Sequence, residues 1–353
     1  MTNPVERERV SVVIPLYQKA AHIRRALDSV LSQTFSRLEV IVVDDGSTDD
    51  GGQLVRQCGD NRVRLVRQPN GGAGAARNRG VAEATADLVA FLDADDEWET
   101  DFIASVLRVR RRFPEAAVFG TAYRLVLRGG EVRIPRFHGH LPEPADSGLI
   151  DYFAGKSGNS PLHSSSVMVE KDALISSGGF AEGVDLGEDL DTWIRLALHR
   201  RVAWSWYPAV TVHLDAENRS DSGLFHGNFP FFESVRCCQA ARASEIPFPP
   251  ELPGYLARRH MTLLAANWLT GDRSASWEII RDCWVVRGAR PRCLGWALLS
   301  LIPRPCVRAL WLAWRAAAGR KPLAPQLRPI SRASVRRPGT PQAGHDVRPR
   351  KGS

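Results

Sequence analysis

The chain lacks the features that would place it in a membrane or hold it together covalently. No run of 18 or more apolar residues occurs among its 353, which argues against a membrane-spanning helix. Its six cysteines (Cys58, Cys237, Cys238, Cys283, Cys293 and Cys306) show neither paired metal-ligand spacing nor a compact disulfide framework. They read as reduced thiols of a cytosolic protein, with the adjacent Cys237 and Cys238 as small buried hydrophobes. Met1–Arg9 is polar and charged with no apolar run behind it, so no secretory signal peptide is expected. No internal repeat is present.

What remains is ordinary globular material, 44% hydrophobic and 24% charged. The net charge of +8 would suggest nucleic acid or membrane if it were spread over the surface. It is not. Residues 304–353 hold twelve Lys or Arg against Asp346 alone, a net +11, which leaves −3 on residues 1–303. The basic excess is an arm on a mildly acidic body, and nucleic acid is not expected as a partner.

Apolar runs at Val10–Leu16, Leu38–Val43 and Leu88–Leu92 read as buried strands, and Val63–Val66 as a short strand. Helical spacing over Ala20–Gln33, Gly51–Cys58 and Ala75–Ala86 alternates with them. This predicts an α/β fold, a mostly parallel sheet with helices on both faces. A helix over Phe102–Phe113 and a strand over Ala117–Leu127 continue it. Arg128–Pro161 is long, irregular and rich in Gly, Pro and His, as binding loops and lids often are. Then come a strand at Ser164–Val169, a short helix at Lys171–Ser176, a helix at Asp189–His199 and a strand at Val202–Val212. Beyond about Phe225 the chain becomes helical and tryptophan-rich. The expected division is a catalytic-type domain over 1–224, a helical extension over 225–320 and a disordered basic tail over 321–353.

Chemistry gathers at strand ends. Leu88–Leu92 runs into Asp93, Asp95 and Asp96, and Leu38–Val43 into Asp44-Asp45-Gly46-Ser47. A lone Asp-x-Asp is most simply a solvated loop. In a parallel sheet, however, such ends lie side by side at one crevice, where ligands bind. Acids so close repel and call for a cation or hydrogen-bond donors. Gly71, Gly72 and Gly74 precede a helix carrying Arg77, and a helix N-terminus and a guanidinium both favour phosphate. Together these suggest a metal-bound nucleotide diphosphate.

The same stretches carry a resemblance. Val-Ser-Val-Val-Ile-Pro-Leu-Tyr, Val-Val-Asp-Asp-Gly-Ser-Thr-Asp (42–49), Asn-x-Gly-x-Gly-x-Ala-Arg-Asn-x-Gly (70–80) and Leu-Asp-Ala-Asp-Asp (92–96) occur in order. They resemble the nucleotide-sugar half of family-2 glycosyltransferases, which have the GT-A fold, related to the Rossmann fold. Gly178-Gly179-Phe180 followed by Gly187-Glu188-Asp189-Leu190-Asp191 is similar to that family's acceptor-side segment. The likeness covers about residues 9–215.

It implies that Pro15 and Tyr17 line the base pocket and that Asp45, beside Asp44, accepts from the base. Arg77 would lie near the base or diphosphate, and Asp93 would contact ribose or metal. Asp95 would coordinate a Mg²⁺ or Mn²⁺ ion, Glu188 would contact substrate, and Asp189 would be the general base, with Glu188 and Asp191 as neighbouring alternatives. Read from the helix alone, all three acids are ordinary N-terminal residues favoured by the dipole. Gln18 departs from the family's usual Asn.

The implied activity is metal-dependent, inverting transfer of a sugar from a nucleotide-diphospho-sugar, with UDP the expected nucleotide, to a glycan or lipid-linked acceptor. Two features bear on location. Val307, Leu310, Trp311 and Trp314 share one face of a segment whose Arg308 and Arg315 lie on another. An amphipathic helix of this kind, followed by basic residues, suits an anionic membrane surface, and equally a helix docked on the core. A cytoplasmic protein, peripheral on the inner face of the plasma membrane, is the expected setting.

A non-catalytic nucleotide- or sugar-binding protein is the alternative. An NAD-dependent oxidoreductase fits poorly, because Arg77 stands where the third fingerprint glycine belongs. An aspartyl-phosphate phosphatase would leave Asp93–Asp96 and Gly187–Asp191 without roles. His213 reads as a surface or core histidine, with a metal or phosphate contact as the sharper alternative. His138, His140 and His163 read as polar loop residues.

Overall fold

The structure, a computed structural model, describes residues 8–216 apart from 144–145, 155–157 and 185–186, together with 249–252, 254–255, 277, 280–281, 284 and 290–299. These fall within one compact unit, Met1–Val307; the second, Arg308–Ser353, lies outside the described residues, as do the expected divisions at 224 and 320 and the amphipathic segment Val307–Arg320.

The expected α/β sheet is present. In chain order its first elements are β1 (Val10–Leu16), α1 (Ile23–Leu31), β2 (Leu38–Asp44), α2 (Gly51–Arg56), β3 (Val63–Arg67), α3 (Gly72–Glu83) and β4 (Leu88–Phe91). Next come β5 (Glu97–Trp98), α4 (Phe102–Arg112), β6 (Ala116–Val126), β7 (Val132–Arg133) and β8 (Ser147–Ile150). A single 3-10 turn, Ser164–Ser166, leads into β9 (Val167–Glu170), α5 (Lys171–Ser176), α6 (Glu188–His199) and β10 (Arg201–His213). A further helix, α7, spans Arg290–Leu299.

The strands lie in the order β3-β2-β1-β4-β9-β6-β10-β5, with β7 on β6 and β8 on β10. β3, β2, β1 and β4 are mutually parallel, and so are β6 and β10. β9 runs antiparallel to both its neighbours, β4 and β6. β1 shows why its sequence is apolar at consecutive positions. Successive side chains alternate between faces, and both faces are covered. On one face Val13 lies against Gly80 of α3, where an added Cβ would come within 2.2 Å of it; on the other Leu16 lies against Gly51 of α2.

Helix α1 buries Ile23, Ala26, Leu27 and Val30, the face its spacing predicts. Over the α3 side, Phe91, Phe180 and Trp193 form one aromatic cluster with centroids 5.1–6.3 Å apart. Arg128–Pro161, expected to be irregular, contributes the short antiparallel strands β7 and β8. Among the described residues no helix is long and apolar enough to cross a membrane, and Cys58 and Cys293 are free thiols.

Candidate active site

β1 and β2 end level with each other, Leu16 opposite Asp44. β4 ends lower, with Phe91 opposite Val13 and the Leu92 amide donating to the Val13 carbonyl at 3.1 Å. The turn carrying Asp93, Asp95 and Asp96 therefore begins beside the middle of β1.

Each acid of that turn meets different partners. Asp93 accepts from Arg77 Nη2 at 2.7 Å. Asp95 is buried and pairs with Lys19 Nζ at 2.7 Å, while its carbonyl takes a hydrogen bond from Arg25. Burial, reinforced by Arg25 and Lys19, lowers the pKa of neighbouring His22, which stays neutral near pH 7. Asp96 is fully buried; it accepts from the Ser165 hydroxyl at 2.5 Å and the His213 amide at 3.0 Å. The His213 ring lies 2.9 Å from Glu97 Oε1 and 3.5 Å from Asp215 Oδ1.

The Asp44-Asp45 corner shapes the backbone. Asp44 accepts from the Ser47 amide at 2.8 Å and lies 3.5 Å from Arg67 Nε. Asp45 accepts from Gln68 Nε2 at 2.8 Å, the Gly71 amide at 2.9 Å and the Gly72 amide at 2.8 Å. At the start of α3 the Gly71 and Gly72 amides of the glycine loop are thus donors to Asp45. Gly72 answers to its φ of +87° and Gly74 to space. A Cβ at Gly74 would come within 2.2 Å of the Ala181 carbonyl oxygen. Pro15 is half-buried and Tyr17 is 48% exposed, an open ring beside this corner. Gln18 adopts φ +53°, a left-handed conformation in which Asn is enriched, and its amide bonds to Thr48 and Asp49.

Consecutive residues of α3 tie this half to the acceptor-side segment. Arg77, 4% exposed, donates from Nη1 to Glu188 at 2.6 Å as well as to Asp93, with its guanidinium carbon 5.4 Å from the centre of the Phe180 ring. Asn78 accepts from the Phe180 amide and donates to the Phe180 carbonyl, at 2.8 and 2.9 Å. Arg77, expected near the base or diphosphate, is therefore a buried bridge between two acids.

Of the three acids opening α6, two have structural partners. Asp191 pairs with Arg195 at 2.8 Å, and Arg195 donates onward to the carbonyls of Ser177 and Gly179. Glu188 pairs with Arg77. Asp189 is half-buried and accepts from the Ser164 hydroxyl at 3.1 Å and the Leu190 amide at 2.6 Å. Burial raises the Glu188 pKa, Arg77 opposes this, and Asp189 adds to it, leaving a net rise. Burial would lower Arg77, but Asp93, Glu188 and Asp189 together raise it. Burial outweighs Arg77 at Glu188, and the carboxylates outweigh burial at Arg77, so both shifts point up.

Ser164 and Ser165 close the arrangement. Ser164 holds Asp189; Ser165 donates to Asp96 and accepts from the Asp93 amide at 3.1 Å. His163 caps this turn, and its Nδ1 accepts from the Ser165 amide at 3.2 Å. Asp93, Asp96 and His163 each offer a ligand atom, all within 4.8 Å of one another. Two carboxylates and an imidazole, in a site with more acid than base, suit Mg²⁺ or Mn²⁺. Asp95 is not in that group.

Sequence reasoning missed His163, Ser164 and Ser165. The available signal was the polar run His163–Ser166 directly before an apolar strand.

Residues 11–174 match the family described as Glycosyl transferase family 2. The chain carries a family-2 glycosyltransferase domain. YibD, an uncharacterized glycosyltransferase of Escherichia coli K12, is 45% identical to this chain over 91 residues, 25% of this chain and 26% of YibD. The chain spans well under half the length of the curated relatives it matches. S. aureus TarS in complex with UDP-GlcNAc shares the fold, with TM-score 0.62 at 19% identity over 78% of this chain and 81% of that one. Mannosyltransferase PcManGT from Pyrobaculum calidifontis, in complex with GDP-Man and Mn²⁺, gives TM-score 0.50 at 19% identity over 90% and 87%. The family-2 domain thus has the GT-A-like architecture expected from the sequence.

Proposed function

We propose that this family-2 domain transfers a sugar, with inversion, from a nucleotide-diphospho-sugar to an acceptor hydroxyl, using Asp189 as general base. One observation carries the reading: neighbouring Ser164 and Ser165 join Asp189 to Asp96 and Asp93, so acids far apart in the chain share one crevice. The exposed Tyr17 ring, with Pro15, suits stacking on the nucleobase. UDP is the first candidate, in keeping with the UDP-GlcNAc that TarS binds; the GDP-Man of PcManGT keeps a second base in view.

Asp93, Asp96 and His163 would hold Mg²⁺ or Mn²⁺, with Asp95 held by Lys19 at their side. When bound, the cation offsets negative charge on the departing diphosphate as a Lewis acid. The acceptor oxygen attacks the anomeric carbon as the bond to the diphosphate oxygen breaks, and the acceptor proton passes to the Asp189 carboxylate. Ser164 holds that carboxylate in place, and Arg77 fixes Glu188 beside it.

The proposed acceptor is a glycan or a lipid-linked molecule. The amphipathic segment Val307–Arg320 and the basic arm favour an anionic membrane surface at the cytoplasmic side.

Thermal-shift and transfer assays test this. UDP with Mn²⁺ should stabilise the protein and NAD should not; Asp96→Ala should remove the Mn²⁺ contribution. Asp189→Asn should retain UDP binding and lose about 10²–10⁴-fold in transfer rate. A variant that still transfers at the wild-type rate would remove Asp189 from its role.

A further inference from the structure

The helical region beyond the glycosyltransferase domain carries two exposed stripes that the candidate site does not use. Trp277, Arg281 and Trp284, at i, i+4 and i+7, are all exposed, the tryptophans at 48% and 42%, whereas Ile280 is buried. In α7, Arg290, Leu294 and Leu298, at i, i+4 and i+8, are exposed, the leucines at 51% and 63%. Cys293 is buried and Ala297 packs on the core, so α7 already has its inward side. Arg290 Nε donates to the Trp284 carbonyl at 3.1 Å, which joins the end of one stripe to the start of the other.

A helix with one side on a core and the other in water ordinarily shows polar residues outward. Single exposed apolar side chains are common. Two linked stripes that repeat large apolar residues at helical spacing, with arginine interleaved, are a different pattern.

We propose that this face docks on an anionic lipid surface. Trp rings suit the headgroup boundary, and arginine stems lie along apolar surface while their heads reach phosphate. Charge agrees: residues 304–353, the next part of the chain, carry +11, against −3 for residues 1–303. A second copy of the chain is a poorer occupant, because a two-fold pairing of this face would set Arg281 and Arg290 stripes against their own kind. The inference supplies the surface for the membrane-side acceptor proposed above and rests on that reading for the acceptor alone. Lipid binding is measured without sugar transfer, so the two fail separately.

Flotation of the full-length chain with vesicles of phosphatidylcholine, with and without phosphatidylglycerol, tests it, with a cooperative thermal melt without ligand as a check on folding. Wild type should float with the anionic vesicles. Leu294→Asp/Leu298→Asp should bind at least about tenfold more weakly, since the apolar contact is lost. If that variant fails to fold, Arg281→Glu/Arg290→Glu decides the matter, with a drop of about fivefold per residue on anionic vesicles at low salt. Wild type that stays at the bottom, or folded variants that float as wild type does, would overturn the proposal. So would a double-Asp variant that floats normally but loses a wild-type dimer in sedimentation velocity.

Discussion

Arg77 faces Asp93, Glu188 and Asp189 with a single positive charge, and it is almost wholly buried. Removing one partner of a buried ion pair costs about 3–5 kcal/mol when the other stays charged. Glu188 has an alternative, because its pKa is already raised by burial. In Arg77→Met it should rise further, so a large loss is expected at pH 7.5 and a smaller one at pH 5.5. The sign follows from linkage: a carboxyl whose folded pKa lies above its unfolded value favours folding at low pH and opposes it as pH rises through the folded pKa. Urea unfolding at both pH values measures this, and adding Glu188→Gln to Arg77→Met should recover stability at pH 7.5. A deficit independent of pH, with no recovery in the double variant, would contradict this account of the bridge. At this scale the sequence exposed residue types but not their partners. Asp45 reads equally well as a ligand for a base or as a cap on Gly71 and Gly72, and only the fold shows the second contact.

Helix α3 joins the two halves of the site, and Asn78 is the clearest handle on that role. Its side chain satisfies both backbone groups of Phe180, whose ring lies against Arg77 and Trp193. Asn78→Ala would leave that peptide without these partners, at a cost of about 1–3 kcal/mol. The looser Phe180 segment leads to α6 and Asp189. We therefore expect kcat to fall more than the donor KM rises in steady-state transfer assays; equal changes in both would point to a lost donor contact instead.

Elements were legible where periodicity alone specifies them. β1, β2 and β4 read as apolar runs because helices cover both faces, and α5 reads directly from Lys171–Ser176. The 3-10 turn was not legible. His163–Ser166 reached the crevice because β9 enters the sheet antiparallel, so that its beginning, rather than its end, lies beside the end of β4. Local propensity carries no record of that reversal. β7 and β8 were missed for a similar reason: each is short and defined by its partner, β6 or β10, rather than by its own pattern.

For the molecule as a whole, the two ends of the sheet play opposite electrostatic roles. Its upper end gathers acids against too few cations. At its lower end a single carboxylate, Glu39, joins β1 to the loop before β4: it accepts from the Ser11 hydroxyl at 2.6 Å, the Thr85 hydroxyl at 2.6 Å and the Thr85 amide at 2.7 Å. Burial pushes its pKa up, but the Ser11 and Thr85 hydrogen bonds, helped by Arg64, outweigh this and leave it lowered. A lowered carboxylate contributes stability above its unfolded pKa and loses it as pH falls through the folded value. Glu39→Gln should therefore be less stable than wild type at neutral pH, with the gap closing below about pH 4.5. Asp60 and Glu83 are also lowered, chiefly by arginine hydrogen bonds at the surface, where salt screens their charges. The partners of Glu39 are mainly neutral hydroxyl and amide dipoles, so the Glu39→Gln gap should persist in high salt. Denaturant melts at neutral and acidic pH, each at low and high ionic strength, separate the two contributions. A gap that vanished with salt would mean that Arg64, and not the hydroxyls of Ser11 and Thr85, holds the lower end of the sheet.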